Sequence, residues 1–285
     1  MSIAIVDGIS TRYDVVGSGP ALLMYAPGGF DATLEKWTTL GSYAKVKVFD
    51  HLRTAYTCIT FDRRECGESG GRIERLRWSL YATQGKALLD HLGFARAHVM
   101  GGCMGAPCAL AFGAAYPEST ASLVLWWPVG GAAYRMSSHL RFAQHIAFVQ
   151  QEGLAAVVEL AQREGKHFGA DPRGGPWVTV LKRDPEFAAA YVRQDAARYT
   201  ALLAGTVRTM WDRDSAPGAE PEDLMQLDVP ALVVPGADAA HATSAARYLA
   251  ECLPRAEYWD VMPPDQTETN AAPRIMQFLQ AASTG

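Results

Sequence analysis

The stretch His98-Val99-Met100-Gly101-Gly102-Cys103-Met104-Gly105-Ala106 decides how this chain reads. It begins as an apolar run of strand length and leads into Ala106–Tyr116, which suits a buried helix. The link between them, Gly101-x-Cys103-x-Gly105, holds one cysteine between two glycines. A strand that turns so sharply into a helix packs backbone on backbone, so side chains at 101 or 105 are expected to strike the neighbouring helix or strand. Cys103 is left at the carboxyl end of a strand and at the N-terminus of a helix, whose partial positive charge favours thiolate. From Ala97 to Pro117 there is no Asp, Glu, Lys or Arg, yet Gly101, Gly102, Gly105, Pro107 and Gly113 interrupt the run. The spacing predicts buried strand, turn and buried helix, not a membrane span.

Outward from this turn, strand-length apolar runs alternate with helix-length segments. Ile3–Val6, Arg12–Val16, Ala21–Tyr25, Tyr56–Phe61, Ala97–Met100 and Ser122–Trp127 read as strands, with a helix from about Trp78 to Gly93. After Pro128 the rhythm becomes helical: His139–Gln151 behind Ser137 and Ser138, Leu154–Glu164, a segment opened by Asp184-Pro185, and Asp195–Arg213 with a break at Gly205. Strand, helix and strand then resume at Ala231–Val234, Ser244–Cys252 and Glu257–Val261, followed by a last helix, Ala272–Ala281. The expected fold is α/β: a mostly parallel sheet of about eight strands, helices on both faces, and a helical cap inserted after strand six. The core is expected at residues 1–128 and 229–285, and the cap at 129–228.

Composition narrows the function classes. Of 285 residues, 49% are apolar and 20% charged, which suits a large buried core rather than disorder. Twenty-six Lys and Arg against 30 Asp and Glu give a net charge of −4, which offers nucleic acid no electrostatic footprint. The start, Met1–Asp7, carries no basic region and no long apolar stretch, and five cysteines without C-x-x-C spacing suit neither a disulfide framework nor structural zinc. A cytoplasmic location is expected. The expected partners are a small-molecule substrate and, at most, a second copy as a homodimer, with no nucleic acid, membrane, metal or organic cofactor.

Three further motifs join the cysteine turn in chain order. Ala26-Pro-Gly-Gly-Phe30 follows a strand. Asp62-Arg-Arg-Glu-Cys-Gly-Glu-Ser69 forms a polar turn, and Pro235-Gly-Ala-Asp-Ala-Ala-His241 follows the seventh strand. With Gly101-x-Cys103-x-Gly105 as a nucleophile elbow, the chain resembles the α/β-hydrolase fold superfamily over nearly its full length. The resemblance implies Cys103 as nucleophile where serine is usual, Met104 and Gly29 (or Phe30) as backbone donors to an oxyanion, and Asp238 as the acidic member. It also implies that Glu65 stands where the motif's first glycine is usual.

The resemblance places the base histidine after the last strand, where Val261–Glu268 contains none. A cysteine at a helix N-terminus ionises without a base, so the lost histidine and the sulfur are mutually consistent; without a proton donor, good leaving groups are favoured. His241 is expected to begin the next helix and satisfy local hydrogen bonds, with a catalytic role as the alternative. His139 and His145 lie on the first cap helix; six residues is roughly 600° of turn, so only one can face Cys103. The remaining histidines, including His98 and His167, are read as structural. Trp126, Trp127, Tyr134 and Trp177 are expected to line or close a pocket. Cys58 and Cys108 are expected in the core and Cys66 exposed, with Asp62 and Arg64 paired. These residues point to a hydrolase or acyl transferase acting on a small ester, thioester or lactone through Cys103 and a backbone oxyanion hole. The alternatives are a non-catalytic ligand-binding member, or a lyase or C–C hydrolase without a covalent intermediate.

Overall fold

A computed structural model describes residues 1–284. Eight strands form one sheet: β1 Ser2–Val6, β2 Ile9–Val16, β3 Ala21–Tyr25, β4 Thr57–Phe61, β5 Ala97–Gly102, β6 Thr120–Trp126, β7 Ala231–Val234 and β8 Ala256–Tyr258. Their order is β1-β2-β4-β3-β5-β6-β7-β8, with β2 antiparallel to both its neighbours and all later pairings parallel. β3 and β7 fall on the residues that their apolar runs predict.

The central strands are apolar on both sides because both faces are covered. Leu23, Tyr25 and Val99 join one buried cluster, with α4 (Trp78–His91), α5 (Gly105–Ala115) and α11 (Thr243–Cys252). Leu22, Met24 and Met100 point into the other. It is closed by α1 (Lys36–Thr39), α2 (Gly41–Val46), α3 (Val48–Leu52) and α12 (Glu268–Thr284).

Between β6 and β7 lie α6 (Ala132–Arg163), α7 (Val178–Arg183), α8 (Pro185–Val192), α9 (Ala196–Met210) and α10 (Pro221–Gln226). Asp184 and Asp195 cap α8 and α9, accepting from the amides of Phe187 (2.9 Å) and Arg198 (2.7 Å). Two expectations change here. α6 starts seven residues before His139, while Gly153 (φ 82, ψ 171) leaves the helical conformation and kinks it where the sequence divides two helices. α9 runs through Gly205 without a break.

The polar turn after β4 also differs from expectation. Asp62 pairs with Arg12 at 3.2 Å, while Arg64 pairs with Glu65 at 2.9 Å and with Glu74. Glu65 sits at φ 67, a left-handed conformation that favours glycine, and Arg64 holds it there. Cys66 is buried, as are Cys58 and Cys108.

Candidate active site

The turn after β5 is as tight as the sequence requires. A Cβ on Gly101 would lie 2.1 Å from the Gly105 carbonyl oxygen, and one on Gly105 would lie 2.1 Å from that of Tyr25 in β3. Cys103 itself takes φ 52, a conformation few non-glycine residues adopt. Two backbone bonds hold it: its N–H donates to Trp126 O and its carbonyl accepts from Ala106 N–H, both at 3.1 Å. The thiol is therefore lifted out of the sheet, partly exposed, at the N-terminal end of α5.

His241 does not begin α11; it sits in the loop before it, two residues ahead of Thr243. The loop folds back along the segment after β6, with a parallel bridge between Gly130 and His241 and a bond from Gly130 N–H to Ala240 O (3.0 Å). Gly236 permits the close approach, since a Cβ there would lie 2.4 Å from that of His241. Asp238 then accepts from the His241 ring Nδ1 at 2.8 Å and from the backbone N–H groups of Ala240 (2.8 Å) and His241 (2.9 Å). His241 Nε2 is buried and closes no formed hydrogen bond. The ring lies near enough to the Cys103 side chain for charge on either group to stabilise the other.

The electrostatics follow from this geometry. Burial pushes the Cys103 thiol up, but the His241 ring and the backbone N–H groups of Gly28 and Met104 outweigh it and hold the thiol below its ordinary value. Burial acts on His241 in the opposite sense, and Cys103 and Asp238 together raise it to about 9. Each group therefore favours the charged form of the other.

The loop after β3 faces this pair. The Gly28 amide lies near enough to favour the thiolate, and Gly29 and Phe30, to which the sequence points, line the cavity in front of it. Arg63 fixes this loop to the elbow: it is fully buried, donates to Gly29 O, and donates to Met104 O at 3.3 Å. The cavity holds about 150 Å³ and is walled by Phe30, Met104, Val129 and Trp211, with Tyr134, Arg141 and His167 as its polar side chains beside Cys103.

A family model described as alpha/beta hydrolase fold matches residues 22–162. The enol-lactonase from Burkholderia xenovorans LB400 superposes with a TM-score of 0.61, covering 98% of this chain and 100% of that one at 18% identity. The chain has the α/β-hydrolase fold. Over 125 residues it is 30% identical to the dihydrolipoyllysine-residue acetyltransferase component of the acetoin cleaving system from Cupriavidus necator, covering 44% of this chain and 31% of that protein. Over 150 residues it is 30% identical to the 2-hydroxy-6-oxo-6-phenylhexa-2,4-dienoate hydrolase from Comamonas testosteroni, covering 52% and 47%. The chain spans about a third to a half of the length of these curated relatives. Among the described residues no helix is long and apolar enough to cross a membrane.

Where the α/β-hydrolase resemblance puts a base after the last strand, this chain has Gln266. Its amide oxygen accepts from the indole N–H groups of Trp126 (3.1 Å) and Trp127 (2.7 Å). Its Nε2 donates to Pro235 O (2.9 Å) and Val261 O (2.8 Å). Gln266 thus ties together the ends of β6, β7 and β8. Trp127, expected to line the pocket, instead packs its ring 6.0 Å from His241 and backs the imidazole.

Neither histidine of α6 faces Cys103. His139 Nε2 bonds the Trp211 carbonyl at 2.9 Å. His145 is fully buried between Arg173 O and the Tyr199 hydroxyl, each 2.8 Å away. Trp126 and Trp177 are buried in the core, so of the expected pocket aromatics only Tyr134 lines the cavity. His167, read as structural, reaches its rim; no motif marks it in the sequence.

Burial holds His145 and His98 down at about 4, with Arg96 adding to the effect on His98. Both stay neutral in the fold, whereas the unfolded chain takes up protons from about pH 6.5 downward. Stability from these groups is therefore complete above pH 6.5 and is lost as pH falls to about 4, by about 3 kcal/mol for each group. Thermal melts between pH 7 and pH 4.5 should show this acid slope, shallower in His145→Gln. Equal slopes in variant and wild type would remove the assignment.

Proposed function

We propose that this chain is a cysteine-dependent α/β-hydrolase acting on a small carboxylic ester, thioester or lactone. The observation that carries the reading is His241, braced by Asp238 and directed at the elbow cysteine. The Cys103 thiolate adds to the carbonyl carbon, forming the C–S bond and moving the π pair onto oxygen. The backbone N–H groups of Gly28 and Met104, which favour the thiolate in the free site, are the candidate donors to that oxyanion. Collapse breaks the bond to the leaving oxygen or sulfur, which takes the proton from His241. Neutral His241 then removes a proton from water, whose oxygen attacks the acyl-sulfur carbon. The second collapse releases the acid and restores the thiolate–imidazolium pair.

This scheme removes the preference for good leaving groups, because His241 brings a proton donor to the site. It also removes the ground for a binding-only role, which rested on a site without a base. A C–C hydrolase keeps one point of support, the Comamonas testosteroni relative named as a hydrolase of that kind of dienoate.

One experiment separates the two. A panel of short-chain nitrophenyl esters, thioesters and lactones should yield turnover, with an acyl mass increment on the Cys103 peptide after acid quench. Cys103→Ala should lose at least about 10³-fold in kcat. Full turnover by Cys103→Ala would sink the covalent scheme, and product formation without an adduct would favour the C–C reading.

A further inference from the structure

Arg141 lines the same cavity as Cys103, and its guanidinium has no carboxylate partner among the described residues. The guanidinium lies over the ring of Phe168, 6.0 Å from the ring centre. Arginines elsewhere in the chain, such as Arg12, Arg64, Arg135 and Arg213, are paired with carboxylates. A guanidinium held against aromatic and aliphatic walls without an anion forgoes its strongest available interaction, a two-pronged bond to a carboxylate.

Its placement is set by α6. Arg141 follows Tyr134 by seven residues, about two turns of helix, so both project from one face into the cavity. Ser138, between them on that face, is buried with a hydroxyl that has no partner. The Tyr134 hydroxyl lies close enough to feel both the Cys103 sulfur and the Arg141 charge. The face that α6 turns to the site therefore carries hydrogen-bond donors and one uncompensated positive charge, while the rest of the wall is apolar. A volume of about 150 Å³ suits a short acyl chain between Arg141 and Cys103.

We propose that Arg141 binds a carboxylate of the substrate, so that the substrates are short acyl compounds carrying a second, ionised carboxyl group. The proposal rests on the reading of Cys103 as nucleophile and adds the substrate class. The carboxylate occupies the Arg141 end of the cavity while the reacting carbonyl lies over Cys103 and the Gly28 and Met104 amides. A neutral ester of the same length forgoes that anchor and leaves the guanidinium unpaired.

Iodoacetate and iodoacetamide test this, because they have nearly the same shape and differ in charge. Alkylation rates at Cys103 are measured for both reagents by mass spectrometry of the Cys103 peptide, in wild type, Arg141→Gln and Arg141→Lys. The expected result is a fall of about tenfold in the iodoacetate-to-iodoacetamide ratio in Arg141→Gln, most of it recovered in Arg141→Lys. A ratio that is the same in wild type and Arg141→Gln overturns the assignment of Arg141 while leaving the nucleophile intact. A Cys103 that neither reagent modifies overturns the parent reading as well. The same comparison with the mono-4-nitrophenyl ester of succinic acid and with 4-nitrophenyl butyrate should show the loss in kcat/KM concentrated on the anionic ester.

Discussion

Replacing His241 with glutamine should lower kcat/KM by about 10²- to 10⁴-fold on any ester that the wild type hydrolyses. The same substitution should move the pH midpoint of Cys103 alkylation upward. In the wild type, burial opposes thiolate, and the His241 charge together with the Gly28 and Met104 amides overcomes it. Glutamine removes the charge and leaves burial opposed by the amides alone, so the thiol needs higher pH to ionise. The lower edge of the wild-type profile belongs to the pair, whose upper titration lies near 9 through His241. Alkylation followed from pH 5 to 10 checks both edges, and an unmoved midpoint in His241→Gln means that the ring does not act on the sulfur. Asp238→Asn should shift the upper edge down, because the carboxylate helps hold the His241 proton.

The second large effect is on stability. Gly105→Ala drives a Cβ to 2.1 Å from the carbonyl oxygen of Tyr25, which belongs to the interior strand β3. Neither side can yield cheaply, because β3 is bonded on both edges and α5 is packed on all sides. The expected cost is about 4 kcal/mol or more, read as a fall in Tm of about 8 °C or more. Gly102→Ala is the comparison. Its Cβ would meet side-chain atoms of Tyr43 at 2.8 Å and Trp37 at 3.2 Å, which can shift. A milder loss is expected there, so equal losses at the two positions would mean that the turn is less tightly packed than its geometry implies.

The fold was legible because its signals are local. Uninterrupted apolar runs such as Ala21–Tyr25 and Ala231–Val234 report strands covered on both faces, and glycines on either side of a cysteine report a turn that tolerates no side chain. α6 departs from its local signals: Ser137 and Ser138 suit a cap, but the helix runs back to Ala132, packs against α7, α8 and α9, and buries Ser138 in its interior. At the candidate site, Cys103, Met104 and Asp238 could be picked out, as they lie in short motifs. His241 could be named but not placed, and a three-residue spacing from Asp238 was the one signal available.

Sequence alone determined the order of strands and helices, the elbow and the identity of its sulfur, since each depends on neighbours within a few residues. Tertiary structure decided which imidazole faces that sulfur, because a folded-back loop, a glycine at 236 and a bridge to Gly130 bring together groups more than a hundred residues apart. It also decided that His145 is a core group and that Arg141 has no carboxylate partner among the described residues, for pairing and burial depend on what other parts of the chain leave beside each residue.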